Sequence, residues 1–324
     1  LTGFAVAGTA TAWWLPAFEW NRAEYLYTHT PLSEVATVQT PLTLRTDRGL
    51  HLSIHEAALV DYAGMNLARG DGGVLRAALT PGDDHGAAVV RSVPFHTPWR
   101  TIQVGEDAGD LAESSLILNL NEPNRLGDVG WFKPAKYVGV WWSLHLDTET
   151  WATGPRHGAT TANTKRYIDF AAANGFRGVL VEGWNPGWDG DWFANGWDFD
   201  FTRPVAGFDL DALATYAAGK GVHLVGHHET ACAVSHYERQ LPAALDLYAR
   251  HGVDVVKAGY VCDAGDIQRQ DQAGGPVLRE WHEGQWMSRH HQRVVVEAAR
   301  RRIAVNSHEP IKDTGLRRTW PNWV

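Results

Sequence analysis

Three times in this chain an apolar run ends on a glutamate. Val222-His-Leu-Val-Gly226 passes into His227, His228, Glu229 and Thr230. Gly178-Val-Leu-Val181 delivers Glu182 and continues Gly-Trp-Asn, and Ile303-Ala-Val305 leads to Asn306, His308 and Glu309. Short apolar runs bounded by glycine or turn residues read as buried strands. Polar side chains gathered where such strands stop are how parallel β/α folds present their chemistry. Glu182, Glu229 and Glu309 are therefore expected to open into one cleft at the carboxyl ends of parallel strands.

The segments between these runs support that reading. Strand patterns fall at 137–142, 178–182, 222–226, 253–261 and 302–306, and helical patterns at 160–175, 208–221, 237–251 and 286–301. Pro242 is expected in the first turn of its helix or at a kink. Alternating β and α units imply parallel strands with right-handed crossovers. The fold class is α/β. Residues 131–324 are read as an incomplete (β/α)8 TIM barrel, because five strands are fewer than closure requires. Residues 263–285 read as a long polar loop on the active face.

Residues 1–130 carry a different pattern. Leu42 and Leu44, then Leu50, Leu52 and Ile54, alternate around Asp47-Arg48-Gly49, as in a hairpin. Further short strands are expected at Ala87–Val93 and Ser115–Leu120. The segment reads as part of an antiparallel β-sandwich with too few strands to be whole.

Composition narrows the class. A net charge of −8 over 324 residues argues against nucleic acid as the main partner. No apolar run reaches the roughly 18 residues of a membrane span. Cys232 and Cys262 are the only cysteines, so no disulfide framework is expected. The first residues do not read as a signal peptide, and with no initiator Met the chain is expected to begin inside a longer protein. Sixteen Trp is a heavy load. Indole suits surfaces that are apolar yet wet, as sugar rings require. Trp184, Trp188, Trp192 and Trp197 follow Glu182 in a Gly/Asn/Asp-rich stretch that reads as a surface loop.

The motifs KYVGVWW at 136–142, GATTANTKRYIDFAAANGF at 158–176, VLVEGWN at 179–185, HHET at 227–230, VKAGY at 256–260 and NSHEPIKDTGLRRTWPN at 306–322 resemble glycoside hydrolase family 97. Residues 40–67 are similar to the end of that family's N-terminal β-supersandwich. The resemblance implies a calcium-dependent glycosidase acting on oligosaccharides, either an inverting α-glucosidase or an α-galactosidase. It implies Glu229 and Glu309 as a shared general base, Glu56 and Glu309 as calcium ligands, and Glu182 in the substrate pocket. Trp184, His227, His228 and His308 are expected to contact sugar. Retaining members carry an Asp nucleophile at the position of Gly259, so inversion is expected here. The family's general acid matches nothing up to Val324, so the chain alone is expected to be an inactive carbohydrate-binding fragment. A periplasmic or secreted location is implied as well.

The residue types suit the implied chemistry. Inverting hydrolysis needs one carboxyl group to protonate the leaving oxygen and one to activate water, about 6.5–9.5 Å apart. Calcium prefers carboxylate oxygens, which several glutamates without cysteine would supply. Zinc on His227, His228 and His308 is disfavoured, since neighbouring side chains on a strand point to opposite faces. Arg317 and Arg318 could equally steer substrate or cap the last turn.

Overall fold

The computed structural model describes residues 2–19, 25–83 and 86–324. Two antiparallel sheets come first. Their strands are β1 (Gly3–Phe4), β2 (Ala10–Trp14), β3 (Thr28–Pro31), β4 (Thr37–Val38), β5 (Leu42–Thr46), β6 (His51–Ala57), β7 (Met65–Arg69), β8 (Leu75–Leu79) and β9 (Trp99–Gly105). They form a sheet of order β1-β8-β7-β4 and another of order β3-β2-β5-β6-β9. The alternation in residues 42–54 sets the register: Leu42 faces Ile54 and Leu44 faces Leu52. Leu42, Leu44 and Ile54 then meet Met65, Leu67 and Leu75 of the other sheet in a single apolar cluster. The expected hairpin turn is present, with Gly49 at φ 85°, where a side chain would be strained.

Two expected strands are not strands. Residues 87–93 join no ladder, because the amide side chain of Gln285 satisfies their backbone, accepting from Val90 N at 2.8 Å and donating to Val90 O at 3.0 Å. The run at 115–120 is helical. α1 (Ala108–Glu113) is closed by a capping box on Asp107, and α2 (Leu116–Asn119) follows it. A short apolar run does not distinguish strand from helix by its period.

The second half alternates as its sequence indicates. Its elements are β10 (Tyr137–Val140), α3 (Trp142–His145), α4 (Thr161–Ala173), β11 (Gly178–Val181), α5 (Leu210–Gly219), β12 (His223–Glu229), α6 (Val234–Arg250), β13 (Val255–Gly259), β14 (Ile267–Arg269), β15 (Leu278–Glu280), α7 (Gln285–Ala299) and β16 (Ala304–Ser307). Strands β10-β11-β12-β13-β16 form one sheet, every pair parallel. Side-chain caps start two helices: Thr160 accepts from Asn163 N at 3.2 Å and Asp209 from Ala212 N at 2.9 Å. Residues 263–285 are not a structureless loop, since β14 and β15 pair within them. Pro242 sits in the interior of α6, beyond its first turn.

The stretch after β16 joins the two halves. Thr314 O accepts from Ala58 N at 2.9 Å, and His55 Nε2 lies 2.9 Å from Asp313 O. Lys312, with a buried side chain, donates to Met65 O at 2.8 Å and Thr40 Oγ1 at 3.3 Å, and pairs with Glu283 at 3.0 Å. Hydrogen bonds to a charged group are worth about 1.5–3 kcal/mol each. Lys312→Met should therefore cost about 2–4 kcal/mol in urea unfolding. A loss below about 0.5 kcal/mol, the level of a neutral surface change, would show that the ammonium does not hold the halves together.

Candidate active site

Strand alternation sorts the His-His-Glu run. His227 and Glu229 project to one side of β12 and His228 to the other. His228 is wholly buried, with Nδ1 3.0 Å from Tyr237 OH and its ring stacked on Tyr248 at 4.8 Å. It packs on Tyr237 and Tyr248 of α6. Trp184 is also turned inward. Its indole N–H donates to His227 O at 2.8 Å, which satisfies the one polar group that would resist burial. Trp188 is buried in the same way, its N–H on Asn185 Oδ1 at 3.0 Å. Trp184 and Trp188 thus supply core, contrary to the surface loop expected, while Trp192 and Trp197 are only partly buried.

Glu182, Glu229 and Glu309 all lie at carboxyl ends of the parallel sheet, and all are buried. Glu229 and Glu309 converge over Gly259. A methyl group built on Gly259 would overlap Glu229 Oε2 and stand 3.4 Å from Glu309 Oε2. Glycine is required there because two carboxyl groups occupy the space a side chain would fill. Glu229 Oε1 accepts from Ala231 N at 2.8 Å and Val261 N at 3.1 Å. Glu309, at φ 48°, accepts from Tyr260 N at 3.0 Å through Oε2, and its Oε1 is 2.6 Å from His308 Nδ1.

Two carboxyl groups this close and this buried cannot both ionise easily. Burial first, and the charge of Glu309 second, push Glu229 up out of the usual carboxylate range. Burial also acts upward on Glu309. It is outweighed by the hydrogen bond from His308, the Tyr260 N–H and the nearby Lys257 charge, which hold Glu309 low. The pair therefore keeps one proton, on Glu229, and one charge, on Glu309.

Lys257 links this pair to Glu182. It extends from β13 as a buried ammonium, 3.0 Å from Glu182 Oε1 and 5.3 Å from the centre of the Trp141 ring. Glu182 also meets His227 Nε2 at 3.2 Å and accepts from Trp151 Nε1 at 2.9 Å. Burial disfavours its charge, yet these partners overcome that and hold Glu182 far below the usual range. Burial keeps His227 neutral against the pull of Glu182, so Lys257 supplies the balancing charge. Neither Lys257 nor Trp151 was singled out as a site residue from the sequence. A lone lysine inside the apolar run Val253-Asp-Val-Val-Lys-Ala-Gly was the signal available for the first.

Glu56 lies in the first half and has other partners. It is fully buried, accepts from Met65 N at 2.6 Å through Oε1, and pairs with Arg100 through Oε2. Burial raises its pKa despite Lys312 and Arg100. Both oxygens are thus engaged, and among the described residues no three His, Cys, Asp or Glu gather as a metal site. As placed, Glu56 and Glu309 do not assemble the six to eight oxygens that calcium takes. Cys232 and Cys262 correct a further expectation, for they are disulfide-bonded.

Two outcomes follow. Lys257→Met should strip Glu182 of its counter-charge and cost about 3–5 kcal/mol, and Lys257→Met with Glu182→Leu should recover most of it. Equal losses in both variants would deny that the pair is coupled. Burial also lowers His228 and His55 to about 3. The unfolded chain therefore takes up their protons first, below about pH 6.5, and stability must fall from there down to the folded values. The slope is about 1.4 kcal/mol per pH unit for each histidine. In urea melts from pH 7 to 4, His228→Phe should flatten the decline, and an unchanged slope would contradict a neutral buried His228.

A family profile described as Glycoside hydrolase 97 matches residues 141–324, and one described as Glycosyl-hydrolase 97 N-terminal matches residues 1–123. A glycoside hydrolase family 97 enzyme from a Pseudoalteromonas species, solved in complex with acarbose, is 56% identical. It superposes with a TM-score of 0.97 over 100% of this chain and 49% of its own. A variant of that enzyme, solved with panose, has the same identity and coverage. A β-arabinopyranosidase, 18% identical with a TM-score of 0.70 over 99% of this chain and 48% of its own, shares the fold. A retaining α-galactosidase from Bacteroides thetaiotaomicron is 27% identical over 93% of this chain and 44% of its own length. The chain thus spans about half the length of these relatives. It carries both halves of one enzyme family's sequence pattern, with two buried carboxyl groups converging at the sheet's carboxyl ends, and it belongs to glycoside hydrolase family 97.

Proposed function

We propose that the whole protein hydrolyses α-glucosidic bonds with inversion. One observation carries this reading: Glu229 and Glu309 face each other over Gly259, which has no space for a nucleophilic side chain. Ionised Glu309 takes the proton from the attacking water. Glu229, protonated beside it, hydrogen-bonds the same water and holds it in place for Glu309. Glu182 and His227, ordered by Lys257, and His308 beside Glu309 present hydrogen-bonding groups to the sugar. Inversion also needs an acid to protonate the leaving oxygen, a role the family resemblance assigns to none of the residues above.

The substrate class follows the more similar relative. Panose is a trisaccharide of α-linked glucose, acarbose mimics such a chain, and both are ligands of the 56%-identical enzyme. The 27%-identical relative named a retaining α-galactosidase supports a second reading, activity on α-galactosides. A side chain at position 259 would displace Glu229, which favours the inverting reading. A periplasmic or secreted location fits the Cys232–Cys262 disulfide, a bond of oxidising compartments. Calcium is proposed from the family resemblance alone, with Glu309 and Glu56 as ligands once Glu56 leaves Arg100. No step above depends on it.

The tests are direct. With the whole protein, NMR of maltose hydrolysis should show β-glucose as first product, and α-glucose first would overturn inversion. Glu309→Gln should lower kcat by about 10²–10⁴-fold, the scale of general-base catalysis, and Glu229→Gln, which keeps a neutral hydrogen-bonding side chain, should lower it less. Faster turnover of an aryl α-galactoside than of the aryl α-glucoside would select the second reading. Calorimetric titration with calcium should give binding that Glu56→Gln and Glu309→Gln both weaken, and equal affinity in all three would remove Glu56 and Glu309 as ligands.

A further inference from the structure

The turn after β12 is held in a conformation that ordinary residues avoid. Ala231 and Cys232 stand at φ 39° and 61°. Consecutive non-glycine residues persist there only where their surroundings over-determine them. Thr230 donates to Gly259 O twice, from N at 3.1 Å and from Oγ1 at 2.9 Å. Cys232 N donates to Thr230 Oγ1 at 3.2 Å, and Cys232 O accepts from Gln268 N at 2.8 Å. The disulfide adds a covalent tie from this turn to the segment after β13.

The placement of that tie is specific. Ala231 precedes Cys232, Val261 precedes Cys262, and the N–H groups of Ala231 and Val261 are the two that meet on Glu229 Oε1, at 2.8 and 3.1 Å. The two amides belong to different segments, so their convergence depends on how those segments are held together. Cys232 is fully buried, so the bridge lies within the site's wall and not at the surface. We propose that the Cys232–Cys262 disulfide is a positioning element for Glu229, holding two backbone donors on Oε1 so that Oε2 faces Glu309 over Gly259. This rests on the reading of Glu229 as a member of the catalytic pair.

Loss of the bridge would let the two segments part and weaken both N–H bonds. Without both donors Oε1 is no longer anchored, and Oε2 is free to turn away from Glu309. The experiment uses the whole protein as Cys232→Ala/Cys262→Ala, and separately the unaltered protein reduced with dithiothreitol. That dithiol gives two electrons and two protons to the S–S bond, leaving two protein thiols and its own cyclic disulfide. Hydrogen exchange of the Ala231 and Val261 amides is followed by NMR, and kcat and KM on maltose are measured across pH.

The expected result is faster hydrogen exchange of both amides, by about tenfold, as their bonds to Glu229 Oε1 weaken. A fall in kcat of about tenfold with KM within twofold should accompany it, the mark of lost transition-state interactions. A lower melting temperature with unchanged exchange at both amides and unchanged kcat would overturn the proposal and leave the bond a plain cross-link. If the double variant does not fold, the reduced protein carries the same readouts. An oxidised protein without glycosidase activity would sink the catalytic reading alone, because amide exchange at Ala231 and Val261 still decides whether the disulfide positions Glu229.

Discussion

The site depends on a repulsion. Two carboxyl groups, Glu229 from the end of β12 and Glu309 from the loop after β16, are pressed together above a residue with no side chain. Buried like charges this close force one to keep its proton. Which one keeps it is set by the neighbours. Glu309 has His308 and the Tyr260 N–H, with the Lys257 charge nearby, whereas burial and Glu309 itself dominate at Glu229. The asymmetry a base needs is thus built chiefly by His308 beside Glu309, with the Tyr260 N–H and the Lys257 charge adding to it, not from a difference between the two residue types.

Holding that repulsion requires stiff surroundings. Glu309, Ala231 and Cys232 all sit at positive φ. Backbone strain of this kind concentrates at functional sites, where the rest of the fold compensates for it. The compensation is visible on both sides. Hydrogen bonds and a disulfide fix the turn after β12, and Lys312, Asp313 and Thr314 pin the loop that carries Glu309 to the β-sheets of the first half. The first half is therefore a brace for one of the two carboxyl groups. Glu56 and Arg100 lie in this junction as an ion pair, with Lys312 close enough to act on Glu56.

What the chain determined by itself is local and periodic. The β/α alternation, the hairpin around Gly49 and the three strand-end glutamates can be read because each depends on neighbours a few residues away. Local reading also has a defined limit. At Ser115–Leu120 a short apolar run suits either helix or strand, and at Ala87–Val93 the partner that satisfies the backbone is Gln285, nearly two hundred residues on. Trp184 and Trp188 look like loop residues until their N–H groups are seen to be satisfied inside the core.

The tertiary structure decided the chemistry of the site. Sequence brought His227, His228 and Glu229 forward together, and the structure shows His228 packed on α6, on the opposite side of β12 from the two that meet Glu182 and Glu309. It placed Lys257 between Glu182 and the carboxyl pair, and joined Cys232 to Cys262 beside the amides that hold Glu229. Residue type names what can ionise. Burial, and the charges and N–H groups brought in from distant segments, decide whether it does, because those terms act through space and not along the chain.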